Sequence, residues 1–179
     1  MALVGQKAPD FEMPAVLANG EIGTVRSQDY RGRWLVLFFY PHDFTFVCPT
    51  EITAFSDAYR DFSAEGAEVL GVSTDSPHVH RAWIQTDRGR GGLGPLRYPL
   101  ASDWTHRVSR DYQVYYPEEG AAYRGLFIVN PEGMVEYEVV HNLNVGRSVG
   151  EVVRVLKALK AGGLCPVNWQ PGERLLQPV

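Results

Sequence analysis

The most apolar stretch of the chain, Trp34-Leu-Val-Leu-Phe-Phe-Tyr40, has no polar interruption and stops at Pro41. Its shortness and its aromatic content predict a buried central strand rather than a helix. From Pro49 the period changes, because Ile52, Phe55, Tyr59 and Phe62 recur at helical spacing until Gly66 ends the pattern. Residues 68–73 read as a second strand, so strand, helix and strand follow one another as a βαβ unit. Upstream, Asn19-Gly20 between Phe11–Val16 and Glu21–Val25 predicts a hairpin.

Downstream, Ser76-Pro77 supplies an N-cap and a first-turn proline for a helix through Trp83. The glycine-rich stretch Arg88–Tyr98 is a loop, and a short helix is expected over Thr105–Tyr112. Leu126–Asn130 and Met134–Val140 flank Asn-Pro-Glu-Gly, a second hairpin. Ser148 and Glu151 form a capping-box pair ahead of Val149, Val152, Val153, Leu156 and Leu159, one apolar helix face ended by Gly162-Gly163. From Leu164 onward, Pro166, Pro171 and Pro178 predict an extended tail, and that tail carries Cys165.

A length of 179 residues suits one domain, or one domain with a tail, divided here as 1–161 and 162–179. The net charge of −4 lacks the footprint of a nucleic-acid or anionic-membrane binder, and no apolar run is long enough to span a bilayer. The opening Met-Ala-Leu-Val-Gly-Gln-Lys has neither a basic segment nor a long apolar one, so a cytoplasmic location is expected. Only Cys48 and Cys165 are present, too few for a disulfide framework and suggestive of redox or catalytic use.

Cys48 follows the buried strand and opens the next helix, beyond the carboxyl end of a parallel core where such folds place their crevice. With Pro49 in the first helical turn, Cys48 falls at the N-cap or in that turn, where the helix dipole and free N–H groups favour an anion. Only the thiolate attacks. Thr45 is available as a hydrogen-bonding group at the same mouth, and Glu51, one turn onward, can orient an arginine. Position alone leaves a second reading open, a small buried hydrophobe at a strand–helix junction.

The full string Phe38-Phe-Tyr-Pro-His-Asp-Phe-Thr-Phe-Val-Cys48-Pro-Thr-Glu-Ile52 resembles the peroxidatic motif of the typical 2-Cys peroxiredoxins, the alkyl hydroperoxide reductase and thiol-specific antioxidant family. Cys165-Pro-Val-Asn-Trp-Gln-Pro-Gly172 is similar to that family's resolving segment. Ser73–Pro77, Ala82-Trp83, Gly91–Gly94, Tyr123–Phe127 and Val145–Ser148 match between them, so the resemblance spans nearly the whole chain. It implies an α/β, thioredoxin-like fold with an N-terminal extension, a central mixed sheet and flanking helices.

The resemblance also implies a peroxidase in which Cys48 attacks the O–O bond. Pro41, Thr45 and Arg124 would complete the site, with Glu51 and Arg147 holding Arg124 in place. Cys165 of a neighbouring subunit would resolve the sulfenic acid as a disulfide. Implied partners are a peroxide, thioredoxin or a flavoprotein disulfide reductase, and further copies of the chain in a homodimer and a ring of five dimers.

No cofactor is implied, and no metal, since His78 and His80 lack a third ligand at metal spacing. His42 stands where an aliphatic residue is common in the family, and Asn144 where a proline is. Two other readings compete. A thioredoxin-type dithiol oxidoreductase is opposed by the lack of any Cys-x-x-Cys, and a non-catalytic holdase role remains as an addition.

Overall fold

The computed structural model describes residues 2–178; Met1 and Val179, the outer limits of the expected domain and tail, lie outside the described residues. The first hairpin joins β1 (Glu12–Val16) to β2 (Ile22–Arg26), with Met13 opposite Val25. Gly20 in its turn has φ +84°, a conformation that a side chain disfavours. The apolar run forms β3 (Trp34–Phe39). A helical segment then returns the chain to β4 (Ala67–Ser73), which lies parallel to β3 with Phe38 beside Gly71. A Cβ at Gly71 would meet Leu100 at 2.7 Å and Phe38 at 2.9 Å, so the absence of a side chain there lets both side chains approach the β4 backbone.

The returning segment differs from the single helix expected. It is two helices, α1 (Val47–Asp57) and α2 (Tyr59–Ala64), separated at Ala58, whose ψ of 5° leaves the helical range. After β4 come α3 (Pro77–Gln85), β5 (Leu100–Ser102) and α4 (Arg107–Asp111). Ser76 Oγ accepts the Val79 N–H at 3.3 Å, as an N-cap should, and α3 runs one turn-fragment past Trp83. A small hairpin, β6 (Tyr115–Tyr116) and β7 (Ala121–Ala122), precedes the hairpin β8 (Arg124–Val129) and β9 (Val135–His141). The last helix, α5 (Val149–Ala161), starts at Ser148, whose Oγ accepts the Glu151 N–H at 3.2 Å. The expected capping box is only half formed, because the Glu151 carboxylate turns to Arg154 instead.

The seven main strands make one mixed sheet in the order β2-β1-β5-β4-β3-β8-β9, with β3, β4 and β5 parallel. Strand periodicity splits the core into two layers. Val36, Phe38 and Tyr40 face α1, α3 and α5 through Ile52, Phe55, Trp83 and Leu156. Leu35, Leu37 and Phe39 face the other way, onto Phe11, Tyr112, Val114 and Phe127.

The expected extended tail is instead folded back. Leu164 bridges Leu176, Trp169 is buried, and the Trp169 carbonyl accepts Arg154 Nη1 at 2.9 Å. Trp169 and Arg154 fasten residues that proline spacing alone describes as open.

Candidate active site

The loop after β3 climbs over the carboxyl ends of the parallel strands and enters α1 at Val47, so Cys48 lies inside the first turn. Its thiol is 1% exposed. Pro49 fits here because the first turn has no intrahelical use for its missing N–H. No side chain caps this helix, since its N-cap is Phe46. The first-turn N–H groups are left to whatever anion occupies the crevice.

Arg124 comes from the start of β8, on the strand next to β3. Its Nη1 lies 3.4 Å from Cys48 Sγ and 2.7 Å from Glu51 Oε2, while its Nε donates to the Leu143 carbonyl at 2.7 Å. The guanidinium is therefore fixed on three sides. Its planar fork allows that, where a lysine ammonium would satisfy fewer partners in defined directions.

Arg147, just before α5, is buried below Glu51. It donates Nε to Glu51 Oε1 at 2.7 Å and Nη2 to Oε2 at 2.9 Å, and its backbone N–H adds a third bond at 2.7 Å. Its Nη1 reaches the carbonyls of Phe39 and Gly125, and its guanidinium lies over the Phe38 ring. Burial alone would push the Glu51 carboxyl up, but the Arg147 hydrogen bonds and charge, with Arg124 beside them, hold it below the usual carboxylate range.

Pro41, Thr45, Phe46, Val47, Cys48, Arg124 and Leu143 line one open cleft. Thr45 Oγ1 donates to the His42 carbonyl at 3.0 Å, which holds the hydroxyl at the mouth. All the expected groups around Cys48 thus converge: Pro41, Thr45 and Arg124 at the cleft, Glu51 and Arg147 beneath it. Cys165 does not join them. It is a free thiol on the flank of α5, with Sγ 3.7 Å from the Ala158 carbonyl. The carbonyl of Leu143 belongs to the site and was not foreseen, because a backbone acceptor leaves no residue-type signal. Chemically, the cleft sets a sulfur nucleophile beside a permanent cation and a hydroxyl, the groups that attack on a polar O–O bond requires.

Residues 4–138 match the AhpC/TSA family. The chain belongs to that family. It is 58% identical over 176 residues to the protein YkuU of Bacillus subtilis (strain 168), covering 97% of this chain and 98% of that one. It is 50% identical over 183 residues to the chloroplastic 2-Cys peroxiredoxin BAS1 of Hordeum vulgare, covering 99% of this chain and 87% of the relative. Among solved structures, reduced 2-Cys peroxiredoxin of Plasmodium vivax superposes with a TM-score of 0.97 at 37% identity, covering 100% of this chain and 95% of that one. This peroxiredoxin is a cysteine-based, thiol-dependent peroxidase on a thioredoxin-like fold, as the resemblance implied.

Proposed function

We propose that this peroxiredoxin reduces hydrogen peroxide and organic hydroperoxides at Cys48 and resolves the product as a disulfide with Cys165 of a second copy. The observation that carries the reading is the Cys48 sulfur lying 3.4 Å from an Arg124 guanidinium that Glu51 already anchors. In the first step the Cys48 thiolate bonds to one peroxide oxygen and the O–O bond breaks. The departing oxygen leaves as water or an alcohol after taking a proton, and Cys48 becomes the sulfenic acid. Arg124 serves as the donor to the peroxide. Thr45 Oγ1, whose own proton goes to the His42 carbonyl, accepts from the peroxide hydroxyl, and Pro41 shields the sulfur.

In the second step the Cys165 thiolate attacks the sulfenic sulfur, an S–S bond forms, and the hydroxyl leaves as water. A dithiol reductant, thioredoxin or a flavoprotein disulfide reductase, then returns both thiols. Disulfides need Cα atoms about 4.4–6.8 Å apart. Glu51 meets Arg147 at the start of α5, whereas Cys165 contacts that helix near its far end, roughly 15 Å along the axis at 1.5 Å per residue. This separation supports resolution between copies.

Assembly has support of its own. β9 ends the sheet; the N-terminal segment covers its outer side at Val135 through Gly5 and Gln6, and the rest of the strand is an edge suited to pairing with another β9 in a homodimer. Phe44, Phe46, Val79 and Trp104 are exposed at the carboxyl ends of β3, β4 and β5, with Phe46 93% exposed, an apolar face suited to joining five dimers in a ring. A reducing compartment such as the cytoplasm suits a chain whose only cysteines are these two.

Peroxide-treated protein on a non-reducing gel tests the central claim. A covalent dimer is expected from the wild type and none from Cys165→Ser; a monomer band with an internal disulfide would overturn it.

A further inference from the structure

A second buried polar cluster underlies the cleft and takes no part in the chemistry described above. Asp43, in the loop between β3 and α1, accepts a hydrogen bond on Oδ1 from Tyr40 Oη at 2.8 Å. Its Oδ2 lies 2.7 Å from Nδ1 of His80, a fully buried residue of α3. On the other side of that imidazole, Nε2 is 3.1 Å from the Ala101 carbonyl of β5. A carbonyl oxygen only accepts, so Nε2 carries a hydrogen. The contact between Oδ2 and Nδ1 then requires one more proton. Without it a carboxylate and an imidazole lone pair would face each other at 2.7 Å with no water to separate them.

Two other ionisable groups face the pair. Tyr40 lies at the end of β3, and Asp75, ahead of α3, accepts the Asp43 N–H at 3.0 Å and the Ser73 hydroxyl at 2.7 Å. Burial pushes the Asp43 carboxyl up, opposed by the His80 hydrogen bond and charge, while Asp75 raises it further. The loop they fasten is strained. Phe44, next to Asp43, has φ 54°, and its ring rests 5.5 Å from Trp83 of α3. The same loop carries Pro41 and Thr45 at its two ends, so whatever fixes Asp43 also fixes them.

We propose that Asp43 and His80 are positioning residues, a pair that holds one shared proton and thereby latches the peroxide-binding loop onto α3 and β5. The inference rests on the peroxidase reading of Cys48. With the proton in place, both His80 nitrogens and both Asp43 oxygens are satisfied and Thr45 is held at the cleft. With His80 removed, a buried carboxylate is stranded and the loop lifts toward water.

Two variants separate the proton from mere shape. His80→Phe keeps a ring and strands Asp43. Asp43→Asn keeps the bonds without the proton, since its amide donates to a neutral His80 and accepts from Tyr40. Single-turnover peroxide reduction is followed by stopped flow, with the Cys48 thiolate counted by its ultraviolet absorbance and thermal unfolding recorded in parallel. Per thiolate, H80F is expected to react at least about tenfold more slowly, the consequence of one stranded buried group, while D43N recovers to within about threefold. In proton NMR the wild type should show a far-downfield exchangeable imidazole resonance that D43N lacks.

A folded H80F reacting at the wild-type rate, a D43N as slow as H80F, or a wild type without the downfield proton would each overturn the latch. Should H80F fail to fold, D43N and the NMR resonance decide alone. A wild type that consumes no peroxide would instead remove the peroxidase reading itself.

Discussion

Arg124 and Cys48 meet at 3.4 Å between Nη1 and Sγ, and the same nitrogen lies 2.7 Å from Glu51. The guanidinium is thus shared between a nucleophile and the carboxylate that aims it. Sharing explains why the anchor is a glutamate with four N–H donors around it rather than a single opposed charge. A loosely held arginine would neutralise Glu51 as readily from another position and would not stay over the sulfur.

Arg124→Lys keeps the charge and loses the fork. One ammonium cannot serve the Leu143 carbonyl, Glu51 and Cys48 together at fixed angles. The second-order rate with peroxide should fall by about two orders of magnitude, the usual cost of one misplaced donor at a developing negative charge. Stopped-flow single turnover measures it, and Cys48→Ser sets the zero.

Glu51→Gln tests the anchor. It leaves two buried arginines facing a neutral amide, so unfolding should require about 3 kcal/mol less, the scale for breaking a buried ion pair from one side. The pH dependence follows from the direction of the shift. A carboxyl held low in the folded state adds stability that is present at neutral pH and is lost as pH falls through its folded value. Wild-type denaturation midpoints should therefore drop on acidification below the usual carboxylate range. E51Q should lose less of its stability over the same interval.

Gly92→Ala tests the loop under α3. A Cβ there would sit 1.9 Å from the Thr86 carbonyl oxygen, which is backbone and cannot rotate away. Gly92 also donates its N–H to Asp87, and Trp83 Nε1 donates to the Gly91 carbonyl at 2.8 Å, so displacement of the loop disturbs the core beneath it. A loss of at least ~2 kcal/mol in chemical denaturation is expected, within the range of backbone strain combined with lost packing.

Much of this architecture was legible in the chain because its signals are local. The run Trp34–Tyr40, the Ser76-Pro77 cap and the hairpin at Asn19-Gly20 each carry their own chemistry, and each forms where expected. β5 escaped because its three residues are too few to show a period and gain strand geometry only by pairing between β4 and β1. Position at the mouth of α1 already pointed to Cys48, Thr45 and Glu51, whereas Arg124 and Arg147 were legible only through the family-like segments Tyr123–Phe127 and Val145–Ser148, since nothing local tells them from surface arginines. His80 shows the opposite limit. Beside His78 it suggests at most half a metal site, and only the fold brings Asp43 to its Nδ1.

Trp169 offers the last test, because it reports the tail from inside. In the reduced chain it is 4% exposed, its indole N–H donates to the Glu173 carbonyl at 3.0 Å, and its own carbonyl is held by Arg154. Cys165 lies four residues before it in sequence and rests on α5 through the Ala158 carbonyl. Meeting a sulfenic Cys48 requires that thiol to leave α5. Cys48 must also emerge, because at 1% exposure its sulfur lies at the bottom of a cleft that admits a peroxide but not a second cysteine side chain with its backbone. Both the first turn of α1 and the Trp169 turn should therefore loosen on disulfide formation, which exposes the indole to water. Peroxide should produce two fluorescence phases in the wild type, a first proportional to peroxide and a second independent of it. In Cys165→Ser the first phase should survive and the second vanish, while Cys48→Ser should show neither. Arg154→Ala frees the Trp169 carbonyl and should speed the second phase severalfold without changing the first. An unchanged second phase would mean that opening of α1, not release of the tail, limits resolution.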